Sequence, residues 1–291
     1  MSTTSIEMNE ITDNTWTTVI KPHSNFFEID FKEIWKYRDL VSMFVKRNVV
    51  TMYKQTVLGP LWFFINPIFT TLVYMVVFGG IAKISTDGLP QALFYLSGII
   101  CWNFFSECLN KNSTTFIDNA SVFGKVYFPR LVVPLAVVIS NLLKLMIQFG
   151  LFVLVYLYFV FKGVNVHPNT YALLFPWLVF LLAGLGLGFG ILFSSMTTKY
   201  RDLKFLLSFG VSLWQYATPV IYPLSSISDK YQWIVQINPV TAIIEAFKYG
   251  FMGHGAFSWG ALVYSSIFTI VLLSISVLVF DKVQKGFMDV V

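Results

Sequence analysis

Runs of apolar residues long enough to cross a lipid bilayer as helices decide the fold class of this chain. An α-helix rises about 1.5 Å per residue, so roughly 20 apolar residues cover the hydrocarbon core. Only 12% of the residues are charged, whereas a soluble domain carries about 25%. The chain is therefore predicted to be an all-α membrane protein with six transmembrane helices. The predicted spans are 62–83, 92–110, 137–161, 171–196, 204–223 and 261–281.

The positions of the basic residues predict how the chain crosses the membrane. Cytoplasmic loops of membrane proteins carry an excess of lysine and arginine. With a cytoplasmic N-terminus, the inner segments contain 15 of the 20 basic residues and the outer segments contain four. We therefore expect both termini in the cytoplasm. The net charge of +5 reflects basic residues that cluster in these inner segments. Because this distribution is explained by the topology, we expect no nucleic-acid partner.

The residues ahead of the first span divide into two parts. Residues 1–30 are polar and rich in threonine, which predicts a flexible N-terminal tail without a cleaved signal peptide. In 31–58, apolar residues recur at helical spacing opposite lysine and arginine, which predicts an amphipathic helix lying in the cytoplasmic membrane interface. Gly59 and Pro60 then turn the chain into the six-helix transmembrane domain, 59–291. The alternative is a simple basic anchor, which needs only two or three basic residues.

Residues 224–260 predict two short helices between the fifth and sixth spans. Asn238 and Pro239 break the first helix, and Gly253 ends the second. Neither helix is long enough to cross a membrane, and both are too apolar for a free loop. Glu245 and Lys248 give the second helix a polar stripe. We predict a re-entrant helical hairpin on the outer side, which acts as a gate.

Residue types typical of catalytic or metal sites do not cluster. The three histidines are scattered, and Cys101 and Cys108 lie seven apart on one helix face, where they cannot form a disulfide. The sequence contains no phosphate-binding G-x-x-x-x-G-K-[ST] motif. Glu107 lies near the inner end of its span and is a poor proton relay. Lys144 is predicted to reach the lipid headgroups, either as an anchor or as a contact to an anionic substrate.

Five motifs occur in order along the chain: YKQTVLGPLW, FGKVYFPRLVVPLA, YRDLKFLL, TPVIYP and NPVTAIIEAFKYGFMG. Together they resemble the membrane subunit of ABC exporters that move lipid-linked polysaccharides such as O-antigen, teichoic acid and capsule. The resemblance covers about residues 30–291. It implies the type-2 ABC exporter membrane fold.

The resemblance also implies partners and a location. Such subunits are homodimers in the bacterial inner (plasma) membrane, and two cytoplasmic ATPase subunits on separate chains bind ATP and magnesium. This chain is then not an enzyme, needs no cofactor of its own, and contacts membrane lipids and a lipid-linked polysaccharide. The missing phosphate-binding motif agrees with that division of labour.

Roles for single residues follow from the same resemblance. Coupling to the ATPases is expected of Asp118, Asn119, Lys125 and Arg130. Contact of the interface helix with lipid headgroups is expected of Arg47, Lys54, Gln55 and Pro60, because cationic side chains suit a diphosphate. The translocation path is expected to include Trp62, Phe63, Tyr74, Trp214 and Tyr216, whose rings can stack on sugar C–H faces. The periplasmic gate is expected to include Asn238, Pro239 and Glu245.

Three alternatives remain open on the sequence alone. An ABC exporter of drugs or small lipids has the same broad architecture, but the interface helix and YKQTVLGPLW favour polysaccharide. A membrane-embedded glycosyl- or phosphotransferase needs clustered acidic or histidine residues near a membrane face. A channel needs no ATPase partner, so partner-dependent ATP hydrolysis separates it from an exporter.

Overall fold

The structure, a computed structural model, describes residues 35–54, 56–126 and 128–286. Within these ranges the chain is helical and forms no β-strand. The predicted N-terminal tail, 1–30, lies outside the described residues. The helices are α1 (Arg38–Tyr53), α2 (Trp62–Tyr74), α3 (Gln91–Ser113), α4 (Thr115–Asp118), α5 (Ala120–Phe123), α6 (Val132–Phe161), α7 (Phe175–Thr197), α8 (Leu203–Tyr216), α9 (Asp229–Ile237), α10 (Pro239–Met252) and α11 (Trp259–Gly286).

Five helical segments of the described chain are long and apolar enough to cross a membrane. They are Gly59–Ile81, Gln91–Ser113, Val132–Phe161, Thr170–Thr197 and Trp259–Lys282. The first contains α2 and ends in π-helical turns, and the fourth contains α7 preceded by a 3₁₀ turn. These five correspond to five of the six predicted spans, so the chain is a multi-pass membrane protein.

The remaining predicted span, 204–223, the fifth in chain order, forms a shorter helix than the sequence pattern indicated. Helix α8 has 14 residues, which corresponds to about 21 Å of helix and falls short of the hydrocarbon thickness. Turns follow it, and Pro219 explains why, because a proline disfavours helical geometry for the residue before it. The mean hydropathy of 204–223 does not reveal this break, because it averages Pro219 with many apolar residues. A six-span topology is therefore not confirmed.

Gly59 produces the turn into the first span. Its φ of +51° lies in the left-handed region, which favours glycine because it has no Cβ. Pro60 follows in the first turn of a short 3₁₀ helix, Gly59–Leu61, where the missing N–H of proline costs no hydrogen bond.

Helix α3 forms the centre of the bundle, and glycines let α7 approach it closely. A Cβ on Gly186 or Gly190 would come within 2.6 Å of α3 side chains. A Cβ on Gly184 or Gly188 would come within 2.9 Å of side chains on α11. The four glycines of α7 therefore face two different neighbours, as small residues do at closely packed helix interfaces in membranes.

The connecting segments gather at two opposite ends of the bundle. At one end α1 meets the segment between α3 and α6, where Arg47 contacts Asn119. At the other end the segment before α3 meets the segment after α8, where Ser225 donates a hydrogen bond to Asp87 at 2.7 Å. We call these the N-terminal end and the hairpin end.

Candidate functional site

Helix α1 packs against the bundle through the side that the sequence predicted to be apolar. Phe44 is buried, with 3% exposure, in a cluster that includes Phe116, Phe123 and Phe128. The ring centroids of Phe44 and Phe128 are 5.9 Å apart. The apolar side of α1 therefore contacts protein, which fixes the helix at the N-terminal end. That α1 lies in the membrane interface stays a prediction.

Arg47 links the residues predicted to contact lipid headgroups with the residues predicted to couple to the ATPases. Its guanidinium donates to Oδ1 of Asn119 at 3.1 Å and lies 4.6 Å from the Phe44 ring. The neighbouring Asn48 donates to Oγ of Ser140 on α6 at 3.4 Å. Arg47 was expected at lipid headgroups and Asn119 at an ATPase. The structure places them in one polar junction between α1, α6 and the segment that precedes α6.

The other predicted coupling residues surround this junction. Asp118 is exposed, and its Oδ2 accepts a hydrogen bond from Oγ1 of Thr114 at 2.6 Å. Lys125 is exposed, and the Arg130 guanidinium lies 5.7 Å from the Phe123 ring. Asp118 and Lys125 are therefore exposed charges of opposite sign in the segment between α3 and α6.

The other predicted headgroup contacts, Lys54, Gln55 and Pro60, follow α1 in the sequence. Lys54 and Pro60 are exposed. Gln55 lies outside the described residues. The exposure of Lys54 leaves its ammonium accessible at the N-terminal end, beside the exposed apolar residues that begin the first span.

The aromatic residues predicted to form the path fall into two kinds. Trp62 and Tyr216 are about half exposed, at 48% and 56%, and have ring surface to offer. Trp214 packs edge-on against Phe105 at 5.3 Å, so its ring is engaged within the bundle. The hydroxyl of Tyr74 accepts a hydrogen bond from Nε2 of Gln215 at 3.1 Å, which links the first span to α8.

A polar cluster lies between α3 and α6, towards the N-terminal end. Lys144 forms an ion pair with Glu107, and the ammonium of Lys111 lies 3.9 Å from the same carboxylate. Lys111 also donates to Oδ1 of Asn141 at 3.0 Å. The Lys144 ammonium lies 5.9 Å from the ring of Phe63, another predicted path residue. Lys144 thus has a protein partner, and the cluster keeps one positive charge in excess.

The helix break at the hairpin end is shielded by protein. The Asn238 side chain accepts a hydrogen bond from the Val240 N–H at 3.1 Å and donates one to Oγ1 of Thr218 at 2.8 Å. The carbonyl of Pro239, which is buried, accepts a hydrogen bond from Oγ of Ser265 at 2.8 Å. The polar groups that the break releases are therefore satisfied inside the protein.

Glu245 and Lys248, which form the predicted polar stripe of the second hairpin helix, are both buried in the protein. Their charged atoms are 3.5 Å apart, and the two residues are 2% and 1% exposed. Lys248 donates to the Pro219 carbonyl at 2.6 Å, while Glu245 accepts the Ala256 N–H at 2.9 Å. Burial lowers the pKa of the Lys248 ammonium, and the Glu245 carboxylate opposes that effect. The i, i+3 spacing predicted the pair but not the segments that cover it.

Metal-ligating side chains do not assemble in the part of the chain that the structure describes. There, no group of three His, Cys, Asp or Glu residues could hold a metal ion. Cys101 and Cys108 are free and buried. Both pack within the apolar cluster around α3.

Residues 39–252 match the family described as ABC-2 type transporter. The chain belongs to this family. Among similar proteins, the O-antigen export system permease protein RfbA of Myxococcus xanthus is 26% identical over 260 residues, which cover 89% of this chain and 97% of that protein. RfbA of Klebsiella pneumoniae is 27% identical over 257 residues, covering 87% and 95%. The polysialic acid transport protein KpsM of Escherichia coli is 24% identical over 246 residues, covering 82% and 92%.

The family assignment confirms the resemblance that the five motifs indicated. The similar proteins are named for O-antigen export (RfbA), for polysialic acid transport (KpsM) and, in Neisseria meningitidis, for capsule polysaccharide export (CtrC). Reasoning from the sequence missed Gln215, whose only signal was a lone amide in an apolar run. It noticed Glu107 and Lys144 separately, because nothing local to either residue shows that α3 and α6 bring them together.

Proposed function

We propose that this chain is the transmembrane subunit of an ATP-driven exporter that moves a lipid-linked polysaccharide out of the cytoplasm across the bacterial inner membrane. It acts as a homodimer with two ATPase subunits on separate chains. The observation that carries the proposal is the contact between Arg47 and Asn119. It ties α1 to the loop expected to meet the ATPases, and the neighbouring hydrogen bond from Asn48 to Ser140 ties α1 to α6.

Coupling begins on the exposed surface around Asp118 and Lys125. Complementary charges on an ATPase can dock there, since opposite charges at a protein interface guide association and fix its register. A movement of this surface reaches α1 through Arg47 and Asn119, which are 3.1 Å apart. It reaches α6 through Asn48 and Ser140. The energy of ATP hydrolysis is thus delivered to helices at the membrane.

The exposed apolar faces of the first span and α8 support a translocation path between two copies of the chain. Phe69 is 63% exposed on the first span, and Phe205 and Phe209 are 70% and 63% exposed on α8. Apolar patches that a single chain leaves uncovered mark contact surfaces or lipid-facing surfaces. In the proposed homodimer these faces enclose the path, and Trp62 and Tyr216 present rings to the sugars.

The entrance for the lipid headgroup lies near the polar cluster of α3 and α6. Lys111 and Lys144 share the single carboxylate of Glu107, so a positive charge is left for an anionic ligand. A diphosphate is a suitable ligand, because cation-to-phosphate hydrogen bonds are about twice as strong as neutral ones. Lys54, which is exposed at the N-terminal end, offers a further positive charge there.

At the outer face, α9 and α10 form the proposed gate. They are too short to span a membrane, and protein shields the break between them at Asn238 and Pro239. Shielded backbone of this kind is tolerated at membrane depth. Lys248 connects the second of these helices to the turn after α8 through the Pro219 carbonyl, so movement of α8 is transmitted to the gate.

Gentle-detergent purification from the native membrane, followed by mass spectrometry of everything that co-purifies, tests the proposal. We expect an ATPase subunit in equal amount and traces of a sugar linked to a lipid diphosphate. A co-purified drug or small lipid with the same ATPase would move the substrate to the alternative exporter class. Recovery of a stable oligomer without an ATPase at any detergent strength would refute the proposal and favour a channel or an enzyme.

A further inference from the structure

Two adjoining cavities open at the hairpin end of the bundle. One has a volume of about 490 Å³ and lies between α9, α10 and the start of α11. The other, of about 440 Å³, reaches the segments around Asp87 and His254. Leu224, Gln236 and Ala256 line both cavities, so the two are neighbours, and we call them together the vestibule. Its size is that of a ligand pocket.

Aromatic rings form two walls of the larger cavity. Trp233 of α9 is 59% exposed and Tyr264 of α11 is 40% exposed, and both line it. The Tyr264 hydroxyl donates to the Ile237 carbonyl at 2.9 Å, which fixes the orientation of its ring. The electron-rich faces of such rings attract weakly positive C–H groups. The two rings therefore offer platforms for a ligand with flat C–H faces.

Polar groups suited to hydroxyls stand beside these rings. The Gln236 side chain is exposed and belongs to both cavities, so it can donate and accept hydrogen bonds in either. Ser258 lines the larger cavity, and Gln232 lines the smaller one. The carboxylate of Asp87, which accepts from Ser225, adds acceptor oxygens. Aromatic faces next to amides, hydroxyls and a carboxylate match the alternating C–H and O–H surface of a sugar.

The wall behind the vestibule is held rigidly. Glu245 lines the larger cavity, and its Oε2 accepts the N–H of Ala256, another lining residue. Lys248 supports Glu245 from behind and donates to the Pro219 carbonyl. A pocket formed before its ligand arrives avoids the entropy cost of ordering its side chains on binding.

The charged residues that line the vestibule favour uncharged sugars over acidic ones. Asp87 and Glu245 stand in its walls, and among its described lining residues only His254 can carry a positive charge. A ligand carboxylate that leaves water needs a cationic partner, which lysine or arginine normally supplies. A ligand that carries many carboxylates is therefore disfavoured here.

We propose that the vestibule is a carbohydrate-binding site that holds uncharged sugar units of the exported glycan at the outer end of the path. The assignment of the outer end and of the glycan rests on the proposed function. Binding of sugars to this site does not, because it requires neither an ATPase nor transport. A site of this kind keeps the emerging chain from sliding back between strokes.

Saturation-transfer NMR on the full chain in nanodiscs of neutral lipid tests the site. The probes are maltoheptaose, which is uncharged, and an oligogalacturonate of seven units, which carries a carboxylate on every sugar. We expect saturation transfer to maltoheptaose and at least about tenfold weaker binding of the oligogalacturonate. Trp233→Ala should weaken maltoheptaose binding about tenfold, whereas Trp233→Phe, which keeps a ring, should stay close to wild type.

Tyr231→Ala is the matched control, because Tyr231 is on the same helix, is 55% exposed and lines neither cavity. Equal losses in Tyr231→Ala and Trp233→Ala would overturn the assignment. So would unchanged binding in Trp233→Ala, equal binding of the two probes, or no transfer to maltoheptaose at all. Saturation transfer between lipid protons and Trp233, without any transfer to the sugar, would also overturn the assignment. The ring would then be a membrane anchor. All of these outcomes leave the co-purification test of the exporter unaffected.

Discussion

The ammonium of Lys248 lies 2.6 Å from the carbonyl oxygen of Pro219, in a turn 29 residues earlier in the chain. Its Nζ is also 3.7 Å from the centroid of the Phe94 ring and 3.5 Å from Glu245. One buried cation therefore holds together α10, the turn after α8 and the central helix α3. This arrangement satisfies the Pro219 carbonyl at the point where α8 has ended.

Removal of the Lys248 charge should destabilise the protein strongly. Lys248→Met leaves the Glu245 carboxylate buried without its partner, and breaking a buried pair costs about 3–5 kcal/mol. We expect a clear fall in the midpoint of thermal unfolding in detergent. A thiol-reactive dye can report it, because Cys101 and Cys108 are buried in the folded chain.

The exposed Lys230 supplies the control, since Lys230→Met removes a charge of little energetic weight. The double variant Glu245→Gln with Lys248→Met should regain part of the loss, because no unpaired charge remains. A Lys248→Met midpoint equal to that of Lys230→Met would show that the pair does not hold the hairpin.

Local sequence signals predicted the helix boundaries at the hairpin end. The side chain of Asn238 caps α10, and Gly253 ends it with a φ of +73°. Capping by asparagine and the left-handed conformation of glycine depend on a few neighbouring residues. The four glycines of α7, which pack closely on α3 and α11, likewise follow a spacing within one helix that is typical of such interfaces.

Contacts between distant helices could not be predicted in the same way. The partners Lys144 and Glu107 are 37 positions apart, and Tyr74 and Gln215 are 141 positions apart. These pairs depend on the register in which the helices pack. The prediction of a full span over 204–223 failed for a different reason. The apolar residues of this segment indicated a long helix, although Pro219 already signalled its end.

Loss of the Arg47 side chain should uncouple transport from ATP hydrolysis. In Arg47→Ala the hydrogen bond to Asn119 is missing, and bonds to charged groups contribute about 1.5–3 kcal/mol. We expect ATPase activity of the assembled exporter to continue while export falls at least about fivefold. Export and hydrolysis should be measured together in vesicles that contain both subunits.

A double-mutant cycle separates this contact from general damage. Asn119→Ala alone should resemble Arg47→Ala, and the double variant should be no worse than either, because residues that act through one bond are not additive. The exposed neighbour Lys46 provides the control variant Lys46→Ala. Additive losses in the double variant would mean that the two residues act separately.

The turn at Gly59 should be required for export but not for insertion. Its φ of +51° costs a residue with a Cβ about 1–2 kcal/mol. We expect Gly59→Ala combined with Pro60→Ala to insert into the membrane and to lose export. Gly150→Ala is the matched control, because a Cβ there meets no atom within 4 Å. Normal export in the double variant would remove any special role for the turn.

Topology can be tested with cysteines at the two ends of the bundle. If the hairpin end is outside, Asn238→Cys should react with a small membrane-impermeant maleimide added to intact cells. Because Asn238 caps α10, its replacement costs about 1 kcal/mol, so the exposed Gln236→Cys serves as a second reporter at that end. The native cysteines give little background, since both are buried.

Lys125→Cys reports on the N-terminal end, where its side chain is exposed. It should react only in inverted vesicles, because the basic segments are expected in the cytoplasm. Labelling of the hairpin reporters and Lys125→Cys from the same side would contradict the prediction that the two ends of the bundle face opposite sides of the membrane. Labelling of both hairpin reporters only in inverted vesicles would reverse the topology, and the vestibule would then face the cytoplasm.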